Sequence, residues 1–374
     1  MAFEQHKISK ITNNLDSKRI PLNEQQRKLK ESRQLYPYIG ANNILGYIDE
    51  YIFDEKILCL AEDGGSWGAN EKCAFIINEK CWVNNHAHVL TAKENLHLEY
   101  LCYYLNFTSL NKFITGATRG KLTQSALNSI DVPLPTLAEQ QRIAKILDAA
   151  DALRKKTQQI IDSYDELAQS VFLDMFGDPV KNEKGWEKKP FDYFAKIDTK
   201  MTTDFEKYSE YPHIGIANIE KDSGKLVDYK KVSEENLSSG KYLFTKNHII
   251  YSKIRPNLNK VALPDFDGLC SADSYPILVH RKNSNKYFFT FLLRSKSFLD
   301  FILSHSKRTN IPKANKEQMQ KYQGIAPPVI LQNQFSEKFE LIEKQKELAK
   351  QSLIESDDLF NALLQKAFKG ELSN

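Results

Sequence analysis

A chain of 374 residues with 41% hydrophobic residues, 27% charged residues and a formal net charge of +4 has ordinary soluble-globular composition, and its length suits two or three cores. No apolar run approaches the roughly 18 to 20 residues a membrane helix needs, and the start "MAFEQHKISK" has no secretory apolar segment, so a cytoplasmic protein that does not enter a membrane is expected. Five cysteines (Cys59, Cys73, Cys81, Cys102, Cys270) are odd in number and irregularly spaced, which predicts reduced, mostly buried thiols rather than a disulfide framework.

Along the chain the first distinctive stretch is "YPYIGANNI" at 36–44, and "YPHIGIANI" at 211–219 repeats it 175 positions later. "YIF" at 51–53 leads into the strand-like run "ILCLA", and "YLF" at 242–244 leads into "IIYSK", at an offset of 191. "EYLCYYL" (99–105) and "YFFTFLL" (287–293) are aromatic-apolar stretches that read as helices, followed by "ATRGKLT" (117–123) and "SKRTNIP" (306–312). Arg119 and Arg308 are then paired at an offset of 189, and Gln140 and Gln332 at 192. One unit of about half the chain is therefore written twice, each copy running from a segment with strand-like alternation into one long helix.

The first long helix is bounded by Pro135, the capping residues Thr136 and Glu139, and the exit "FGDP", in which Gly177 supplies a left-handed stop. About 40 residues at 1.5 Å rise per residue make a rod of roughly 60 Å. Its expected coiled-coil seam is Ile143, Ile146, Ala150, Leu153, Thr157, Ile160, Tyr164, Leu167 and Val171, with Leu147, Ile161, Ala168 and Phe172 beside it. The second rod stops at Gly370, with the seam Phe335, Phe339, Ile342, Lys346, Ala349, Leu353, Ser356, Phe360, Leu363 and Ala367. Both apolar stripes are wider than a two-helix seam needs, which points to further helices from a partner; a self-contained helical hairpin is the plainer alternative. The boundaries that follow are 1–135 and 178–326 for two globular domains, with 136–177 and 327–374 for the helices.

Enzyme motifs fail on spacing. In "GATRGKL" (116–122) the glycines enclose three residues instead of four and Leu122 stands where a magnesium-binding hydroxyl belongs, so it is no phosphate loop. "LPDFDGL" (263–269) has no downstream partner for a metal-dependent nuclease, and no methyl-donor fingerprint is present. Cys73, Cys81, His86 and His88 lack a C-x-x-C pair, which argues against zinc. No catalytic residue and no metal ligand is assigned.

Charge favours nucleic acid. Residues 181–325 carry 26 basic and 17 acidic groups, a net +9, whereas 1–135 balance at 15 and 15. "YSKIRPNLNK" (251–260) offers Lys253, Arg255, Asn257, Asn259 and Lys260, donor types that hold phosphates and read purine edges. The matching stretch of the first half, "AEDGGSWGANEK" (61–72), is a glycine-rich turn carrying Trp67. With Arg119 and Lys121 in the first half and Arg308 in the second, these are the candidate DNA-binding residues. A solvated loop, or arginines that brace the helix starts, is the alternative for each.

"PLPTLAEQQRIAKILDAADALRKK", "FLDMFGDPVKNEKGW" and the globular-helix-globular-helix order together resemble the specificity subunit of type I restriction-modification enzymes, over essentially the whole chain. The resemblance implies an α+β protein: two α/β target recognition domains alternating with two long antiparallel coiled-coil helices, in a pseudo-two-fold internal repeat. It also implies a non-catalytic subunit that reads a split sequence in double-stranded DNA and docks two methyltransferase subunits on its helices. Restriction (helicase-nuclease) subunits would complete the complex, with S-adenosylmethionine and ATP bound only by partners and no cofactor here. The first domain begins at "HKISKI" without the lead-in that "GDPVKNEKGWEKKPF" gives the second. A bivalent architectural or regulatory DNA-binding protein, or a self-assembling coiled-coil scaffold, are the readings from other classes.

Overall fold

The computed structural model describes residues 3–116, 118–305 and 312–372. The chain divides into two compact units, residues 1–158 with 351–374 and residues 159–350. Each unit holds one globular domain and one part of each long helix.

Both domains fold their repeated sequence into the same antiparallel sheet. In the first the order is Thr12–Asn14, Ala87–Ala92, Ile57–Ala61, Ala74–Ile77; in the second it is Ala195–Ile197, Ser274–Val279, His248–Ser252, Val261–Ala262. The central strands, Ile57–Ala61 and His248–Ser252, are buried along their whole length, as expected of a strand covered on both faces. The repeated "YP" motif is the strand of a second sheet, Tyr36–Ile39 or Pro212–Ile214, which runs parallel to Trp82–Val83 or Gly268–Cys270. Here the copies differ in size, three strands against five, because "YIF" makes only the isolated bridge Phe53 to Cys81 where "YLF" lies in the full strand Lys241–Phe244.

The lead-in that the sequence shows only before the second domain has a counterpart in the first. Gln5–Lys7 pairs with Asp131–Pro133 as Lys188–Pro190 pairs with Gln323–Ile325, and the short helices Ile8–Ile11 and Phe191–Phe194 follow. The aromatic helices form as Leu98–Phe107 and Lys286–Arg294.

The long helices span Leu137–Phe176 and Val329–Lys369. Thr136 Oγ1 accepts the Glu139 amide, and Gly177 (φ 75°) and Gly370 (φ 73°) take the left-handed stops. Gln140 and Gln332 are fully buried one turn inside each helix and do the same work. Gln140 Oε1 accepts the His97 amide (2.8 Å) while Nε2 donates to the Asn95 and Pro135 carbonyls. Gln332 Oε1 accepts the Asn285 amide (2.9 Å) and the Ser284 hydroxyl while Nε2 donates to the Pro327 carbonyl. Each glutamine thus ties the start of the long helix to the start of its domain's aromatic helix, satisfying backbone groups that would otherwise be buried without partners.

Within each unit the helix pieces run antiparallel. In the first, Arg154 pairs with Asp357 (2.6 Å) and stacks 4.4 Å from the Phe360 ring centre, while Arg142 Nη2 donates to the Leu372 carbonyl. In the second, Asp165 pairs with Lys346, and Phe172 meets Phe335 at 5.6 Å between ring centres. Half of the expected first-helix seam holds, with Ile143, Ala150 and Thr157 buried, and the other half lies one residue away from the expected line. Leu153, Ile160 and Leu167 are 50%, 41% and 45% exposed, whereas Leu147, Ile161, Ala168 and Phe172 are buried. The second-helix seam follows the expected residues, with Phe335, Ile342, Ser356, Phe360 and Ala367 buried.

Candidate nucleic-acid interface

At the end of each central strand the chain turns a corner with the same backbone connections in both domains. In the first, Ala61, Glu62, Asp63 and Gly64 leave the strand; the Gly64 amide donates to the Gly120 carbonyl (3.2 Å), and Asp63 bridges to Lys121. In the second, Ser252, Lys253, Ile254 and Arg255 leave it; the Arg255 amide donates to the Pro312 carbonyl (2.9 Å), and Ile254 bridges to Lys313. Gly120 therefore corresponds to Pro312 at an offset of 192, not the 189 that pairs Arg119 with Arg308. Arg308 lies outside the described residues.

The first corner is acidic and its charges are mutually engaged. Asp63 Oδ1 accepts from Arg119 Nη2 at 2.9 Å and lies 2.8 Å from His86 Nδ1. The His86 amide is held by Asn84 Oδ1 at 2.8 Å, and Asn42 Nδ2 donates to the Gly64 carbonyl at 3.2 Å, so four loops converge here. Beneath the rim, Glu62 binds Arg19 (2.6 Å) and Lys121 (3.2 Å), and buried His88 faces Asp16 at 2.6 Å while its Nε2 meets the Leu122 carbonyl. Burial alone would push the Asp16 carboxyl up, but the His88 bond and charge, the Val89 amide and Asn14 outweigh it and hold it below its ordinary range.

Asp16, Glu62 and His88 gather ligand atoms within 4.8 Å of one another. Arg19, bonded to Glu62 and 3.5 Å from Asp16, already supplies the positive charge there, so the group reads as a buried ion network rather than a metal centre. The cysteines and histidines weighed for zinc do not assemble either, since His86 and His88 are engaged by carboxylates and Cys73 and Cys81 lie in different core clusters. All five cysteines are free, and burial pushes the Cys73, Cys81 and Cys102 thiols up to about 12.

The second corner is basic. Arg255 is exposed and takes a left-handed backbone (φ 50°), and its side chain has no hydrogen-bonded or ionic partner among the described residues. Asn257 is also exposed, and Lys253 Nζ lies 5.1 Å from the Tyr275 ring centre.

Of the predicted site residues, the structure brings Arg119 and Lys121 together on the first rim, and Lys253, Arg255 and Asn257 on the second. It gives Trp67, Asn259 and Lys260 scaffold roles. Trp67 is 6% exposed: its Nε1 donates to the Ala61 carbonyl, and its ring lies under Gly65 and Gly120 as the floor of the loops. Asn259, left-handed at φ 47°, donates to the Arg294 carbonyl, and Lys260 Nζ donates to the Ile216 carbonyl at 2.8 Å, so both brace the corner. Sequence reasoning missed Asp63 and weighed His86 only as a zinc ligand. The available signal was that both lie just outside strand ends, Asp63 beside the Gly64-Gly65 turn, where side chains meet across loops.

The model of the type I restriction modification DNA specificity domain matches residues 3–163 and again 183–355. The chain belongs to the type I restriction-modification specificity subunit family. Among specificity subunits, the EcoDI subunit of Escherichia coli is 26% identical over 381 residues, covering 90% of this chain and 83% of that protein. The MjaIX subunit of Methanocaldococcus jannaschii is 25% identical over 312 residues, covering 75% and 70%. The solved S subunit from M. genitalium superimposes with a TM-score of 0.61 at 14% identity, covering 98% of this chain and 96% of that one, a likeness of fold. For a specificity subunit, two matching rims with different side chains are the surfaces of interest. No helix of the described residues is long and apolar enough to cross a membrane.

Proposed function

We propose that this specificity subunit reads a split sequence in double-stranded DNA, one half with each globular domain, and that its long helices act as spacer and as the docking site for two methyltransferase subunits. The observation that carries the reading is the pair of equivalent corners, Glu62-Asp63-Gly64 and Lys253-Ile254-Arg255, set on the same scaffold with the same backbone bonds. Changing side chains at a fixed rim is how one fold comes to read two sequences.

Docking is supported by the apolar residues left outside the seam: Leu153, Ile160 and Leu167 at heptad spacing on the central helix, with Leu341, Leu348 and Leu359 on the other. In this reading the chain is not an enzyme and binds no cofactor. S-adenosylmethionine belongs to the methyltransferase partners and ATP to the restriction subunits, and the assembly works in the cytoplasm.

The test is an exchange of residues 185–325 for the matching segment of a relative, followed by mapping of methylated adenines in cells that hold the full complex. One half of the methylated sequence should change and the other stay. If both halves change, two independent readers are ruled out. If the chain binds split sites but associates with no methyltransferase subunit, it is a bivalent architectural protein instead.

A further inference from the structure

The two corners share more than their backbone bonds. Residues 64 and 255 are both left-handed, at φ 64° and 50°. Glycine adopts that backbone freely; an arginine there is uncommon and strained, and such residues concentrate at functional sites. In the second domain the strained residue carries the exposed guanidinium itself. In the first, the missing side chain of Gly64 leaves space that another guanidinium fills: a Cβ on Gly64 would stand 2.9 Å from Arg119 Nη2 and 3.2 Å from its Nε. Arg119 arrives from the opposite side of the strand pair, one residue before Gly120, which makes the bond to Gly64 that Pro312 makes to Arg255.

We propose that Arg119 and Arg255 are equivalent base-reading groups, delivered to one point of the fold from two different chain positions, each reading the paired acceptors N7 and O6 on a guanine edge. Asp63 is the positioning residue for the first of them. It takes one of the five guanidinium donors of Arg119 through Oδ1 and is itself fixed by His86, so the remaining donors are presented in a set orientation. Among the described residues Arg255 has no such carboxylate; its orientation comes from the backbone, clipped at Pro312 and held by buried Pro256 and the Asn259 bond to Arg294. This inference rests on the reading of the two domains as DNA readers.

The test uses the full complex. Methylated adenines are mapped for the wild type, Arg119→Ala, Arg255→Ala and Asp63→Asn, and affinities are measured for duplexes carrying each single-base change in the wild-type site. Arg119→Ala should relax one G·C position in one half-site, and Arg255→Ala one G·C position in the other, each with about tenfold or greater loss of discrimination. Asp63→Asn should relax the same position as Arg119→Ala, more weakly, and should add little to Arg119→Ala in the double variant. If an alanine variant no longer methylates, the lysine variant decides: retained charge with the same position relaxed supports the assignment, and the parental sequence overturns it. A split site that both arginine variants leave unchanged, or that both relax in the same half, overturns this inference alone. A wild-type complex with no split site overturns the two-reader reading and this inference with it.

Discussion

Gln140 and Gln332 occupy the same place in the two units and share the same two backbone bonds, to an amide and to a proline carbonyl, whereas Gly64 and Arg255 occupy the same place and do different things. The glutamines sit where backbone donors and acceptors of two segments meet at the buried helix start, and few other side chains could satisfy both. The corners face solvent, where the backbone bonds are already complete and the side chain is free to vary. Likeness between the copies thus marks where the scaffold has obligations, and divergence marks where it has none. The same contrast extends behind the rims: Asp16, Arg19, Glu62 and His88 form an ion network under the first, while the Tyr275 ring lies under Lys253 at the second.

The strongest way to break this comparison is in the helix seam, which both units need. Phe172→Ala removes a fully buried ring packed on Phe288, Phe291 and Phe335 and should destabilise the chain by about 4 kcal/mol in denaturant unfolding. Leu167→Ala, on the line the sequence favoured, should cost well under about 1 kcal/mol in the same assay. Equal losses would return the seam to Leu167.

The ion network sharpens the difference between the domains. Asp16→Ala removes the carboxylate bonded to buried His88 and leaves Arg19 only Glu62, and should cost about 3 kcal/mol near neutral pH. The Asp16 carboxyl is held below its unfolded value, so its contribution is complete above about pH 4 and is lost as pH falls through the lower folded value. The gap between wild type and variant should therefore close on acidification; a gap that persists at low pH would show that lost packing, not charge, sets the cost.

The glutamines test the likeness. Gln140→Ala and Gln332→Ala should each cost about 2 kcal/mol, because each leaves a buried amide and carbonyl unpaired. Costs that differ by more than about 1 kcal/mol would mean that the two locks are not equivalent. The smallest effect is expected at Leu153→Ala, within about 0.5 kcal/mol for the chain alone. Co-purification with methyltransferase subunits should nevertheless weaken, and unimpaired co-purification would remove Leu153 from the docking surface.

Much of this protein was legible in its sequence. The repeat, the strand runs, the aromatic helices and both helix stops depend on local pattern and on glycine's access to the left-handed region, which residue order alone carries. Three features were decided only by the tertiary structure. The central helix has two adjacent apolar lines, one through Leu153, Ile160 and Leu167 and one through Leu147, Ile161 and Ala168, and only the facing helix, with Phe360 and Leu364 in one unit and Phe335 in the other, selects between them. Trp67 has the composition of an exposed loop around it, yet it is the floor of that loop because Gly65 and Gly120 let two backbones close over its ring. The correspondence of Arg119 with Arg255 has no sequence offset to reveal it. A guanidinium reaches about 6 to 7 Å from its own backbone, so two chain positions on opposite sides of a strand pair can serve one point in space, and only the folded pair shows that they do.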